Sequence, residues 1–440
     1  MESSTKATDP IPGTRLAPHP RNTGVKRARQ RRAPAVAPAP AMTVATPSVV
    51  RRKKFFRTRI FFSRIATASA FGWEHAKRTY QEGKHIREYL RGFRQCRTRK
   101  PLGTILKELC LVALKWKILP FNYFRNALYD RNTPHADEFL SFLPEPVLFT
   151  RYMPVLSPEK YRVVVHNKYF FHQLMELNGI DSPPLAIWSF SKTIYGKYGA
   201  ILSESHLTRA LEDHVGETLV LKPQHLSDGK AIEFLSVVRR GRNLQLEADP
   251  GTAYGYAGLC ATCDRLGDWL LEQAIRQHPV VAAIYPHSVN TVRIVTLAYP
   301  DGQIRILAAL MRMGRKGSKI DNASAGGIHV HIDVDTGRFL DPAYSKTDNA
   351  TYTVHPDTGH PIAGVALPFW DEIVAVTKRG AGLFMQTHTI AWDIAIGEAG
   401  PIVIEGNPTW NPGTMERGSF PKGDLIIAAA EAWREKVKRQ

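Results

Sequence analysis

The sequence predicts an α+β fold in which two small antiparallel sheets form the body of the protein. Short strand signals rich in β-branched residues alternate with a few helical segments from about residue 185 onward. Near its end the chain carries two apolar arms around single acids, joined by a Gly-Glu-Ala-Gly turn, as in a β-hairpin. A basic N-terminal region precedes this body, so the sequence indicates an extension joined to a folded domain.

The positive charge is confined to the first part of the chain. Residues 1–100 contain 24 Lys and Arg against 5 Asp and Glu, whereas the other 340 residues contain 35 of each. The body therefore has no overall field that would attract a polyanion, and we expect no nucleic-acid partner. We predict a disordered basic tail rich in Pro and Ala over residues 1–50, a basic helical extension over 51–145 and a catalytic domain over 146–440.

Residues 51–100 mix cations with aromatic side chains, as in Arg51–Phe56, which is typical of segments that lie on anionic lipid. The alternatives are a basic amphipathic helix that packs on the domain or is solvated, and an organelle transit peptide rich in arginine. Four cysteines do not form a disulfide framework, and no apolar run is long enough to span a bilayer. We expect a cytoplasmic protein, with peripheral attachment to the inner face of the membrane as the alternative.

The predicted elements follow in order. A largely apolar helix over Thr104–Leu119 ends at Pro120 and is expected to cover the body, and a helix-like segment over Lys160–Gly179 carries Lys168. Strands are predicted at Leu185–Phe190, Thr218–Leu221, Ile232–Val238, Trp269–Leu271, Thr291–Ala298, Ile304–Met311 and His329–Val334. Further helices are predicted at Leu207–His214, Trp370–Leu383 and Leu425–Lys438.

The terminal hairpin brings three oxygen-bearing side chains together. Asp393 and Glu405 should lie on neighbouring antiparallel strands, about 4.8 Å apart, and Asn407 leaves the same strand face as Glu405. Mg²⁺ prefers hard oxygen ligands and is usually held by one or two carboxylates together with substrate phosphates. The hairpin therefore predicts a magnesium site that serves a nucleotide. The alternative is that both acids are ordinary solvent-facing strand residues.

Other polar side chains are candidates for contacts with anions. Lys222 follows an apolar strand and precedes a proline, so its ammonium can act as a point charge on phosphate. Arg293 shares a strand face with Thr291 and can hold a phosphate or a carboxylate, and Arg312 can do the same from the next strand. The alternative is that these arginines simply face solvent. His329 and His331 share a strand face, but no third ligand joins them at a convincing spacing, and the Cys260–Cys263 pair is similarly isolated.

Several ordered motifs between residues 160 and 413 resemble the ATP-grasp fold, and in particular the sugar-transfer-associated ATP-grasp family related to α-L-glutamate ligases. The matching segments are Asn167–Tyr169, Val220–Pro223, Leu270–Ile275, Ser288–Ile294, Asp321–Asn322 with Gly326–Gly327, and Ile390–Gly413. The resemblance implies a nucleotide held between two antiparallel-sheet lobes. There is no P-loop motif and no GxGxxG after a strand, which argues against other nucleotide folds.

The resemblance also implies roles for individual residues. It assigns Lys168 and Lys222 to the ATP phosphates, Glu272 to the nucleoside in the segment between the lobes, and Asn322 to the catalytic site. The alternative for Glu272 is a structural acid at the end of a strand. Ser227 and Gly229 lie in a turn whose backbone amides can cover the phosphates. That turn contains fewer glycines than the family pattern, so an ordinary hairpin turn is the alternative.

The resulting hypothesis is an ATP- and Mg²⁺-dependent carboxylate–amine ligase that acts through an acyl phosphate. Its substrates would be a small-molecule or sugar-linked carboxylate and an amine, in a setting of polysaccharide or sugar-conjugate biosynthesis that rests on the resemblance alone. The same apparatus could phosphorylate a hydroxyl as a kinase. A third hypothesis is a nucleotide-binding scaffold without turnover that recruits glycosyltransferases through the basic extension.

Overall fold

The computed structural model describes residues 72–439 except 74–75, 81–82, 85, 226–230, 249–250, 341, 346, 348–349 and 413–421. The chain divides into a unit Met1–Phe62 and a unit Ser63–Gln440, and all described residues belong to the second. The predicted tail over residues 1–50 and the cation–aromatic clusters between residues 51 and 62 lie outside the described residues.

Two antiparallel sheets form the body. The first has the order β3-β2-β1-β8-β4-β5-β6-β7, and the second has the order β13-β12-β11-β10-β9-β14-β15. The strands of the first sheet are β1 Leu185–Phe190, β2 Thr193–Gly196, β3 Gly199–Ile201, β4 Thr218–Pro223, β5 Glu233–Arg240, β6 Asn243–Ala248, β7 Thr252–Tyr254 and β8 Trp269–Gln273. Those of the second are β9 Thr291–Ala298, β10 Ile304–Met313, β11 Ile328–Ile332, β12 Ala343–Ser345, β13 Thr351–Tyr352, β14 Thr389–Ile396 and β15 Pro401–Asn407.

Helices precede, separate and follow these strands. The α-helices are Ile86–Gln95, Leu102–Trp116, Phe121–Arg125, Glu145–Val147, Met153–Leu156, Glu159–His166, Lys168–Leu177, Glu204–Leu211, Tyr256–Leu266, Pro279–Ile284, Trp370–Leu383 and Gly423–Arg439. Short 3₁₀ turns lie at Ala136–Ser141, Glu212–His214 and Ala323–Ala325, and a π turn lies at Leu148–Tyr152. Among the residues described, every helix is too short or too polar to cross a bilayer.

The second sheet is covered on both faces. One face packs against the helix Trp370–Leu383, and the other against the helices Leu102–Trp116 and Gly423–Arg439. Every residue of β14 is consequently buried, which explains why its sequence is an apolar run instead of an alternating pattern. The helix Leu102–Trp116 thus covers the body as the sequence predicted, although the predicted domain boundaries at residues 50 and 145 stay predictions.

The first sheet has its own core with the helices Glu204–Leu211 and Tyr256–Leu266. The structure adds six strands that the sequence did not reveal, namely β2, β3, β6, β7, β12 and β13. Most of them are only two to four residues long, and β6 carries polar residues between its leucines. Strands this short are specified by their neighbours in the sheet more than by their own residues.

Candidate active site

A cavity of about 700 Å³ lies between the two sheets. It is lined by β4, β5 and β8 from the first sheet and by β9, β10, β14 and β15 from the second. All of the predicted site residues that the structure describes line this cavity: Lys168, Lys222, Glu272, Arg293, Arg312, Asn322, Asp393, Glu405 and Asn407. The predicted turn residues Ser227 and Gly229 lie outside the described residues.

Lys222 forms a buried ion pair in the wall contributed by the first sheet. Its Nζ donates to Glu272 Oε1 from the adjacent strand. His172 Nε2 lies 3.1 Å from the other carboxylate oxygen of Glu272. Burial alone would raise the pKa of Glu272, but the charge of Lys222 and the contact with His172 outweigh it and lower the pKa. Glu272 is thus held as a carboxylate that fixes the Lys222 ammonium at the cavity wall.

His172 supports the cavity wall through Glu272, and sequence reasoning missed it. It lies four residues after Lys168 on the helix Lys168–Leu177, and residues at that spacing share a helix face. That spacing is the signal that could have identified it. Both side chains are buried, and both point toward acids of the cavity, His172 toward Glu272 and Lys168 toward Glu405.

Lys168 is positioned by a helix N-terminus. The side chain of Asn167 accepts a hydrogen bond from Phe170 N at 3.1 Å and caps the helix, which splits the predicted segment 160–179 into two helices. Lys168 Nζ lies 3.6 Å from Glu405 Oε2. Burial lowers the pKa of Lys168, and the nearby Glu405 only partly opposes this effect. A buried cation facing a cavity is suited to binding phosphate.

The terminal hairpin forms as predicted. Asp393 on β14 and Glu405 on β15 are cross-strand neighbours, and a bulge follows Asp393. Asn407 Nδ2 lies 3.4 Å from Asp393 Oδ2 and 3.2 Å from Glu405 Oε1, so the three side chains converge. The Asn407 amide nitrogen faces the two acids here; with the amide turned over, its oxygen and the two carboxylates would make a hard oxygen donor set that suits Mg²⁺. Among the described residues, no three His, Cys, Asp or Glu form a metal-binding group, and the buried pair His329 and His331 has no such third ligand.

Two arginines hold Asp393 from the neighbouring strands. Arg293 on β9 donates from Nε to Oδ1 and from Nη2 to Oδ2, both at 2.7 Å. Arg312 Nη2 on β10 lies 3.1 Å from Asp393 Oδ2. Burial alone would raise the pKa of Asp393, but the charges of Arg293 and Arg312 lower it far below its ordinary value. Asp393 therefore stays ionised, and the predicted strand arginines face the cavity instead of solvent.

A loop after β10 fixes the Arg312 guanidinium. Arg312 donates from Nε and Nη2 to Thr291 Oγ1 at 2.9 and 2.7 Å, and Thr291 in turn donates to Asp321. Asn322 Oδ1 lies 3.5 Å from Arg312 Nη1. The role of Asp321 was not predicted, although Asp321 belongs to the same matching segment as Asn322. Gly327 permits this loop because a Cβ there would lie 2.5 Å from the carbonyl oxygen of Asp321.

The segment between the two sheets and several apolar side chains also line the cavity. Residues 274–277 follow β8, and Val220, Ile232, Phe234 and Ile404 supply apolar surface. Apolar cavity surface of this kind suits a flat heterocycle. Thr409, Trp410 and Asn411, which follow β15, line the cavity as well. Asn411 Nδ2 donates to Glu145 Oε2 at 2.7 Å, which ties this part of the lining to the N-terminal helices.

Comparison with known proteins gives one family match. The model of the family described as sugar-transfer associated ATP-grasp matches residues 148–418, which is more than half of the chain. No curated protein matches the sequence.

Solved structures with similar folds include three that differ greatly from this chain in sequence. An ADP complex of N5-carboxyaminoimidazole ribonucleotide synthetase is 10% identical, with a TM-score of 0.31 over 56% of this chain and 45% of that one. The ATP-grasp ligase PsnB with a minimal precursor is 14% identical, with a TM-score of 0.34 over 69% of this chain and 70% of that one. Biotin carboxylase from Campylobacter jejuni, with β-γ-ATP, is 12% identical, with a TM-score of 0.36 over 61% of this chain and 46% of that one. The chain thus spans less than half of the length of the first and third of these proteins.

Proposed function

Because the chain belongs to the sugar-transfer associated ATP-grasp family, which confirms the predicted fold, we propose that it is an ATP- and Mg²⁺-dependent carboxylate–amine ligase. It would phosphorylate a carboxylate and let an amine displace the phosphate to form a carbon–nitrogen bond. One observation carries the proposal. Two buried lysines, Lys168 and Lys222, and the oxygen donors Asp393, Glu405 and Asn407 face the same cavity.

The nucleotide is proposed to lie along the wall contributed by the first sheet. The apolar surface formed by Val220, Ile232 and Phe234 receives the adenine, next to the segment that follows β8. Lys168 and Lys222 then face the phosphates as point charges. Phosphate oxygens would also offset the cost of keeping Lys168 charged, since burial lowers its pKa.

The donor set of the hairpin would hold the metal. Asp393, Glu405 and Asn407 would supply oxygen ligands, and Mg²⁺ when bound neutralises charge on the phosphate oxygens. Asp393 is well suited to this role because the two arginines keep it ionised. The same arginines, Arg293 and Arg312, are cations in the cavity wall that can stabilise charge on the transferred phosphoryl group or on the acceptor carboxylate.

The acceptor is proposed to bind beside Thr409, Trp410 and Asn411, which line the cavity. An amide and a hydroxyl next to an aromatic ring are groups that recognise the hydroxyls and apolar face of a sugar. The sugar-transfer association of the family supports a sugar-linked acid as the carboxylate, in the synthesis of a polysaccharide or sugar conjugate.

Isotope transfer provides a direct test. The protein is incubated with ATP, Mg²⁺ and a panel of sugar acids labelled with ¹⁸O in the carboxylate, with amino acids as amines. An acyl phosphate that is attacked by an amine leaves one labelled oxygen in inorganic phosphate. Label in phosphate that depends on the amine is the expected result, and Glu405→Ala should abolish it.

Other outcomes have distinct meanings. A stable phosphorylated product that forms without an amine, with no release of inorganic phosphate, would show that the reaction is that of a kinase and not of a ligase. ATP binding without turnover across the panel, with wild type and Glu405→Ala indistinguishable, would favour the scaffold hypothesis.

A further inference from the structure

The helix Leu102–Trp116 is apolar on two opposite sides. Its inner side places Ile105, Val112 and Trp116 in the core that covers the second sheet. Its outer side carries Leu102, Leu106 and Leu114, which are 66%, 63% and 73% exposed. A helix that is apolar all round is normally buried on all sides, so the outer side is expected to meet a partner.

The exposed apolar residues form a continuous stripe. Leu102, Leu106, Cys110 and Leu114 follow one another at a spacing of four residues, so they lie on successive turns of one side. Leu111 is partly exposed beside them, and Cys110 is exposed. We call these five residues the outer face.

Positive charges accompany the outer face. Lys107 and Lys117 are exposed next to it, and Glu108 is the one acid between residues 102 and 117. Glu108 points inward, where Lys100 Nζ donates to it at 3.0 Å and Tyr123 Oη at 2.5 Å. The acid therefore does not reduce the positive potential beside the outer face.

The helix that precedes the outer face in the sequence is also basic, with Glu88 as its one acid. Arg87, Arg91 and Arg94 of the helix Ile86–Gln95 are all exposed, and that helix contributes no buried residue. Residues 51–100 contain 16 Lys and Arg against 3 Asp and Glu. The cations thus lie in the sequence immediately before the helix with the exposed leucines.

We propose that the outer face docks on an anionic lipid bilayer, with its leucines among the acyl chains and the lysines at the headgroups. Leucines combined with lysines are the composition of helices that lie in a membrane interface. A second copy of the chain fits less well, because a symmetric contact through the outer face would bring the lysines of both copies together. The proposal is independent of the ligase reaction.

Cys110 offers a direct probe because it lies in the middle of the outer face. The full chain with Cys96→Ser and Cys260→Ser retains Cys110 together with the buried Cys263, and Cys110 is labelled with a polarity-sensitive dye. Two kinds of vesicle are compared. One contains about 30% phosphatidylglycerol in phosphatidylcholine, to represent an anionic membrane, and the other contains phosphatidylcholine alone. We expect a blue shift with the anionic vesicles alone, reversed by high salt.

Substitutions then separate the apolar contribution from the charge. Leu106→Ser with Leu114→Ser should abolish vesicle flotation, whereas Leu177→Ser with Leu202→Ser changes two leucines of similar exposure elsewhere and should not. Lys107→Gln and Lys117→Gln should each lower the partition coefficient about fivefold.

Three results would overturn the proposal. A dye that is already blue-shifted without vesicles would mean that the outer face is covered within the protein or by a second copy. An equal shift with neutral vesicles would exclude recognition of anionic lipid. No shift with either vesicle would exclude membrane docking.

Discussion

Arg293 and Asp393 are direct cross-strand neighbours on β9 and β14, and the guanidinium of Arg293 donates to both carboxylate oxygens of Asp393 at 2.7 Å. The two residues are a hundred positions apart in the sequence. Arg312 approaches the same carboxylate from β10, so one buried acid contacts two cations at the cavity wall, and Asp321 lies 3.4 Å from Arg312 Nε as a second acid. The arrangement links three neighbouring strands of the second sheet through one charged group.

Asp393→Asn should therefore destabilise the protein strongly, even without ligands. The substitution retains the shape of the side chain but leaves the Arg293 guanidinium without its paired carboxylate and leaves Arg312 with Asp321 alone, at a cost of about 3 kcal/mol. Urea unfolding in EDTA measures the loss. Asp264→Asn breaks the exposed pair with Lys192 and should change the unfolding free energy little. Equal losses for both variants would mean that the Asp393 network contributes no more than a surface ion pair.

Glu405→Gln should separate the proposed metal function from stability. Glu405 is partly exposed to the cavity, so losing its charge should cost little stability, but one of the two carboxylates of the donor set would be lost. We expect Mg²⁺-dependent ATP turnover to fall at least about a hundredfold, while the unfolding free energy stays near that of wild type. Glu398→Gln, an exposed acid in the turn of the same hairpin, is the control and should retain activity. Full activity of Glu405→Gln would show that Glu405 is not needed as a metal ligand.

The sequence predicts the parts of the site that depend on local geometry. Asp393 and Glu405 are joined by a short turn, which sets their register, so their proximity follows from the hairpin alone. The alternation rule likewise places Thr291 and Arg293 on one face of β9, and both line the cavity.

Contacts between distant segments could not be predicted from the residues. The pairing of Arg293 with Asp393 depends on β14 adding to the sheet beside β9, which no local pattern specifies. β14 is buried on both faces, so it carries no alternation to show which side chains face the cavity. His172 is the exception, since its spacing from Lys168 was visible in the sequence.

Asp321→Asn should impair catalysis through the position of Arg312. Asp321 accepts from Thr291 N at 3.1 Å and from the hydroxyl that orients the guanidinium, so a neutral amide would loosen Arg312. We expect kcat to fall about tenfold with little change in KM for ATP, because Lys168 and Lys222, which we propose to face the phosphates, lie on other elements. Asp301→Asn also changes an acid that accepts a backbone hydrogen bond, at an exposed turn, and should leave both constants unchanged. A larger effect on KM than on kcat would assign Asp321 to nucleotide binding instead.

Lys168 should make nucleotide capture sensitive to alkaline pH. Burial lowers the pKa of Lys168 below its ordinary value of 10.5, so the free enzyme loses this cation earlier on the alkaline side than an exposed lysine would. Since the charged form of Lys168 is proposed to bind phosphate, kcat/KM for ATP should fall as pH rises toward 10. At saturating ATP, kcat should fall less, because bound phosphate favours the charged form.

Substitution by arginine tests the assignment. Lys168→Arg keeps its charge throughout this range and should move the fall in kcat/KM to higher pH, even where the maximal kcat/KM of this variant is lower. Lys160→Arg, an exposed lysine on the preceding helix, should leave the profile unchanged. Circular dichroism at each pH shows that the protein stays folded, and identical alkaline profiles for wild type and Lys168→Arg would exclude Lys168 as the group that titrates.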